Sequence, residues 1–186
     1  RDCAPSMNSE SRSSDADNSD ADNSDADNSD ADNSDPSQIP TMVTVENLQN
    51  HLPVEADRVE ALVRFVLKGE GEAGEISICF VDDDRITELH GEFLNDPTPT
   101  DVITFPLGDD DSRTLEGEIV VSSEAAIRQA GDHQSTPLQE LHLYVIHGVL
   151  HLAGYDDLSA AEAGEMSRIQ EGYLSSWIAL NGPFTD

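Results

Sequence analysis

The chain has 186 residues and carries 39 acidic against 9 basic side chains, for a formal net charge of −30. That length allows one domain with a substantial core. That charge excludes DNA as a partner and leaves RNA only where a local cationic spot, such as a bound divalent metal, offsets the repulsion. No apolar run approaches the ~18 residues needed to span a membrane and no charged-then-apolar segment opens the sequence, so a soluble, cytoplasmic protein without a membrane partner is expected. Cys3 and Cys79 make no disulfide framework, which fits a reducing compartment.

Residues 1–40 repeat the pentad DADNS from Asp15 to Ser34 and hold almost nothing large and apolar. Such a segment cannot bury enough surface to offset the entropy of ordering it. A disordered acidic tail is therefore expected over 1–40 and a folded domain over 41–186. Residues 41–186 are acidic in their own right, with 28 acids against 7 Lys and Arg.

Residues 41–47 alternate in polarity and read as a strand. A helix follows from Pro53, with Val59, Leu62, Val63 and Val66 on one face and Gly69 at its end. Residues 75–82 form a β-rich buried strand. One of Asp82, Asp83 or Asp84 caps the next helix, whose buried stripe is Ile86, Leu89 and Phe93.

Residues 95–101 form a proline-punctuated loop, and a strand runs over 102–107. Pro106 has no N–H for a ladder, so it belongs at a strand end or on an edge. Residues 108–113 read as a turn and hairpin tip, and 116–122 as another strand. Ser123 is expected to cap a short helix through Ala130.

Thr136, Pro137 and Gln139 mark a strong helix start: cap, first turn and capping box. That helix runs through His147 and His151 to about Ala153, where Gly154 is a natural left-handed stop. A second capping box at Ser159 and Glu162 opens a last helix with Met166, Ile169, Tyr173 and Trp177 on one side. The sum is an α+β domain, a small and mostly four-stranded sheet packed with about five helices.

Residues four apart on a helix share a face, so His147 and His151 bring two imidazole nitrogens near one point. Gly148 between them costs about 1 kcal/mol against Ala and leaves space for close approach of another group. Gly154 lets the chain turn back, and Asp157 supplies a carboxylate oxygen to the same point. Two imidazoles and a carboxylate, with room for water, at the end of a central helix, are the pattern of a catalytic zinc rather than a closed structural one. An H-x-x-x-H pair alone is common and more often reads as ordinary helix histidines. Asp156 is the rival third ligand and a weak candidate for a general base, better suited to capping the turn or orienting a histidine. His142 and His133 lack the geometry, His90 and His51 read as surface residues, and Tyr155 reads as a site wall or as packing.

The stretch HGVLHLAGYDD, residues 147–157, resembles H-G-x-L-H-L-x-G-Y-D-H, the signature of the YbeY family of bacterial zinc-dependent endoribonucleases. PTDVITFP, residues 99–106, is similar to the family's P-T-D-V-L-S-F-P, and GEIVVSSEAA, residues 117–126, resembles its G-D-I-x-I-x-x-E-x-A. Glu140-Leu141 stands where the family has an E-L or E-I pair. The resemblance covers about residues 41–178. It implies a compact α+β fold and one zinc ion at His147, His151 and position 157. It also implies single-strand-specific cleavage of RNA in maturing the 3′ end of small-subunit ribosomal RNA, and ribosome quality control.

Two departures stand out. The family's third histidine is Asp157 here, a harder and more anionic ligand. Its motif L-N-x-x-Y-R places an arginine where this chain has Leu94, which cannot grip a phosphate. Arg85 and Arg128 are substitutes by residue type. These departures keep a second reading open: a non-catalytic ribosome-assembly factor whose metal holds the turn, delivered to RNA by a ribosomal protein or a ribosome-associated GTPase. A third reading, a metzincin-like metalloprotease, shares H-x-x-x-H-x-x-G-x-x-D but has Gly148 where H-E-x-x-H carries its general base.

Overall fold

The computed structural model describes residues 40–108 and 114–184. The acidic repeat and most of the expected hairpin tip, residues 109–113, lie outside the described residues. In chain order the elements are β1 (Met42–Asn47), α1 (Ala56–Glu70), β2 (Gly74–Val81), α2 (Asp83–Leu94), β3 (Val102–Pro106), β4 (Leu115–Ser122), α3 (Ser123–His133), α4 (Pro137–Leu152) and α5 (Ala160–Asn181). This is the expected α+β fold, with a four-stranded mixed sheet and five helices among the described residues.

The sheet order is β1-β2-β4-β3. β1 runs parallel to β2 and β2 parallel to β4, while β3 pairs antiparallel with β4. Parallel neighbours need a crossover, and α1 supplies it between β1 and β2. β3 is an edge strand, and Pro106 is its last residue, where its missing N–H costs no ladder bond.

Side-chain alternation along β4 divides the interior. Ile119 and Val121 join Ile76, Ile78 and Phe80 of β2 in the larger core, closed by Val59, Leu62 and Val66 of α1 and by Leu141, Val145 and Val149 of α4. Val120 instead meets Cys79, Val81, Ile103 and the α2 residues Ile86 and Leu89 in a smaller cluster. α4 is the most deeply buried helix because ten of its residues are inaccessible, which is why its sequence is apolar nearly all round.

Two glycines set how closely α4 meets β4. A Cβ added at Gly148 would lie 2.6 Å from Ile119 Cγ2, and one added at Gly117 would lie 2.6 Å from Leu152 Cδ1. The space beside Gly148 is thus taken by the sheet.

Several expected boundaries move. α1 begins at Ala56, three residues after Pro53, and ends at Glu70, capped by Gly71, whose φ of 78° is left-handed. Gly69 lies inside the last turn for a different reason: a Cβ there would fall 2.4 Å from the Tyr173 hydroxyl. The cap of α3 is Ser122, which accepts from the Ala125 N–H, while Ser123 is the first helical residue and donates to the Val81 carbonyl. α3 then continues past Ala130 to His133. Thr136 caps α4 by accepting from the Gln139 N–H, but the reciprocal capping box is made, among the described residues, at Ser159 and Glu162 of α5.

No described helix is long and apolar enough to cross a membrane. Cys79 is buried and disulfide-bonded, which departs from the unpaired cysteines expected.

Candidate metal centre

α4 ends in a Schellman turn. The Tyr155 N–H reaches the Leu150 carbonyl and the Gly154 N–H reaches the His151 carbonyl, with Gly154 at φ 94°. This turn reverses the chain so that residues 155–157 run back beside the last turn of the helix. Asp156 then fixes the reversal, its Oδ1 accepting from the Asp157 N–H at 2.8 Å.

The three expected residues meet. His147 Nε2 and His151 Nε2 are 3.0 Å apart, and Asp157 Oδ2 lies 3.6 Å from the first and 3.9 Å from the second. Zinc bonds to nitrogen and oxygen of about 2.0–2.2 Å in a tetrahedron put donor atoms about 3.3–3.6 Å apart, so the observed triangle brackets that size. His147, His151 and Asp157 are the one such group among the described residues. The imidazoles are mostly covered, whereas the Asp157 side chain is 42% exposed, leaving its side of the triangle open to solvent.

Each imidazole is oriented from behind. His147 Nδ1 donates to Gln170 Oε1 at 2.8 Å, and His151 Nδ1 donates to the Tyr155 carbonyl at 3.1 Å. Both acceptors are oxygens, so each ring carries a proton on Nδ1 and turns its Nε2 toward the other ring. The cluster could hold a metal ion, with each imidazole oriented by a partner on its far nitrogen.

Gln170 and Tyr155 belong to the site's support in ways the sequence reading did not assign. The signal for Gln170 was present: it follows Met166 by four residues and precedes Tyr173 by three, a polar side chain on the inward stripe of α5. Tyr155 contributes its carbonyl to His151, and its hydroxyl donates to Glu70 Oε2 at 2.8 Å. The Tyr173 hydroxyl donates to Glu70 Oε1. Both phenols are held protonated. The Glu70 hydrogen bond raises the pKa of Tyr155; burial first, then the same carboxylate, raises that of Tyr173.

The other histidines stay away from the triangle. His142 is buried in α4, donates from Nδ1 to the Leu138 carbonyl at 2.6 Å and stacks on Phe184 with ring centroids 3.9 Å apart. His133 Nδ1 pairs with Glu140 at 3.2 Å. His90 is half-buried and bonds the Thr98 carbonyl, while His51 is exposed. Arg85 and Arg128, the two candidate phosphate grips, are engaged with carboxylates: Arg85 with Glu88 at 2.6 Å and Arg128 with Asp83. Leu94 is 56% exposed at the end of α2.

The model of the family Endoribonuclease YbeY matches residues 44–178. The chain is 39% identical over 120 residues to an Endoribonuclease YbeY of Protochlamydia amoebophila, spanning 63% of this chain and 80% of that one. It is 35% identical over 138 residues to one of Carboxydothermus hydrogenoformans, spanning 73% and 96%. Among solved structures it is similar to the solution structure of TM1509 from Thermotoga maritima, with a TM-score of 0.54 at 29% identity, covering 78% of this chain and 97% of that one.

Proposed function

The chain belongs to the YbeY family of endoribonucleases, and on that premise we propose that it is a zinc-dependent, single-strand-specific endoribonuclease. Its substrate would be ribosomal RNA, with roles in maturing the 3′ end of the small-subunit RNA and in ribosome quality control, in the cytoplasm. The observation that carries this reading is the meeting of His147 Nε2, His151 Nε2 and Asp157 Oδ2 in one cluster of the size a metal ion needs. A zinc ion held there supplies Lewis acidity toward a phosphoryl oxygen and brings the pKa of a water down to about 7.

The chain's own residues do the rest. Gln170 and the Tyr155 carbonyl hold the imidazoles in one tautomer and one orientation, so no reorganisation is needed as the reaction proceeds. Asp156 pins the backbone of Asp157 and keeps its carboxylate on the open side of the site. For a chain of net charge −30 to accept a phosphodiester, His147, His151 and Asp157 would need to hold an ion that adds local positive charge.

The non-catalytic reading is less well supported, because the family is named for its nuclease activity and the ligand triangle keeps an open side. The protease reading fares worse: Gly148, at the general-base position, is buried against Ile119. Purified protein tests all three. We expect about one zinc per chain, lost in His151→Ala together with cleavage of RNA that has single-stranded ends. Zinc-loaded protein that leaves RNA intact, alone and with ribosomes, overturns the nuclease and favours an assembly factor working with ribosomal proteins or a ribosome-associated GTPase. Cleavage of casein would restore the protease.

A further inference from the structure

Glu70 is the last residue of α1 and does not belong to the ligand triangle. Its two carboxylate oxygens are nonetheless divided between the two elements that orient the histidines. Oε2 accepts from the hydroxyl of Tyr155, the residue whose carbonyl accepts from His151 Nδ1. Oε1 accepts from the hydroxyl of Tyr173. Tyr173 stands three residues after Gln170 on the same face of α5, and Gln170 accepts from His147 Nδ1. The close approach is built in, since any side chain at Gly69 would displace the Tyr173 ring. Hydrogen bonds to an ionised acceptor are the stronger kind, so one charged group braces both arms at once.

We propose that Glu70 is a positioning residue of the metal centre. By holding Tyr155 and Tyr173 on separate oxygens, it sets the orientation of His151 and His147 without touching either. The inference rests on the metal reading above and extends it to α1, an element that contributes no ligand. Glu70 thereby ties the helix between β1 and β2 to the loop after α4 and to the middle of α5.

The conservative variant Glu70→Gln keeps the shape but offers one acceptor oxygen in place of two, so one tyrosine loses its partner. Tyr155→Phe and Tyr173→Phe each remove one arm and keep the ring. The readouts are zinc affinity, by competition with a chelator, and the visible absorption of the cobalt-substituted protein, which reports ligand geometry whether or not RNA is cleaved. Loss of a partner directly behind a ligand costs about 10–100-fold in affinity. One bond further out we expect a loss of about 3–10-fold in Glu70→Gln, smaller losses in each Phe variant, and a displaced cobalt band in all three. Ile86→Val, which trims the smaller core instead, should lower the melting temperature and leave the cobalt band where it is. Wild-type affinity and an unmoved band in the three brace variants overturn the proposal. If Glu70→Gln does not fold, the two Phe variants decide. Wild-type protein that binds neither zinc nor cobalt at these histidines overturns the metal reading itself, a different failure.

Discussion

Gly148 and Ile119 touch at a distance that admits no side chain: a methyl on Gly148 would lie 2.6 Å from Ile119 Cγ2. Ile119 is fully buried at the middle of β4 and is stiff at its branched Cβ, so it cannot swing aside. Gly148→Ala should therefore destabilise the protein although Ala is the better helix former. Overpacking costs about 1–3 kcal/mol and the propensity gain returns about 1. Because Gly148 separates the two histidines, the strain should also weaken zinc binding. Gly117→Ala should cost less, since the atom it meets first is the end of a flexible, half-buried Leu152. Melting temperatures and chelator competition on the two variants check both statements.

Removing the metal should lower stability by mass action. A ligand present at about 1,000 times its dissociation constant adds about 4 kcal/mol to a folded state that alone binds it. Chelator should lower the unfolding midpoint, and zinc should restore it. Asp157→Ala should abolish most of this difference. Asp157→His, which supplies the imidazole found at this position in the family signature, should keep it, because the site is open to solvent on that side. A chelator-insensitive midpoint in the wild type would leave the triangle without a structural role for its cation.

By the sequence resemblance, Leu94 falls where the family motif would carry an arginine, and it is 56% exposed. An arginine there would need no burial of charge, so Leu94→Arg should change stability by less than about 0.5 kcal/mol. It should raise RNA cleavage by about tenfold or more, the scale on which a cation facing developing phosphate charge acts. Arg85 and Arg128 are engaged with Glu88 and Asp83, and Glu88→Gln or Asp83→Asn, which would remove one such ion pair each, should not reproduce that gain. Single-turnover rates on one RNA with the three variants separate these cases.

Much of this architecture was legible because local chemistry and tertiary packing agree. The Gly154 stop, the Ser159 capping box and the stripe Met166, Tyr173, Trp177 are read from near neighbours in sequence, and so is the geometry of residues 147–157. Where the sequence misled, a distant contact decided. Gly69 looked like a helix stop and is a clearance for Tyr173, over 100 residues away. Ser123 looked like a cap, yet it is Ser122 that turns inward while Ser123 reaches the Val81 carbonyl of a neighbouring strand. Nothing within its own helix marks Glu70 as the partner of two tyrosines.

His142 offers a pH test. Burial is the main reason its pKa falls from the usual 6.5 to about 4; the hydrogen bond to the Leu138 carbonyl opposes this, and Arg58 adds to it. The folded state therefore binds this proton less readily than the unfolded chain. The stability tied to neutral His142 is complete above about pH 6.5 and is lost as pH falls toward 4, on the order of 3 kcal/mol in all. His142→Phe keeps a ring against Phe184 and removes the titration. Unfolding midpoints measured with chelator present, so that the metal ligands contribute equally in both proteins, should converge as pH falls from 6.5 to 4, with the wild type losing stability faster than the variant. Parallel curves across that window would mean that the imidazole gains access to water or to an acceptor as it protonates.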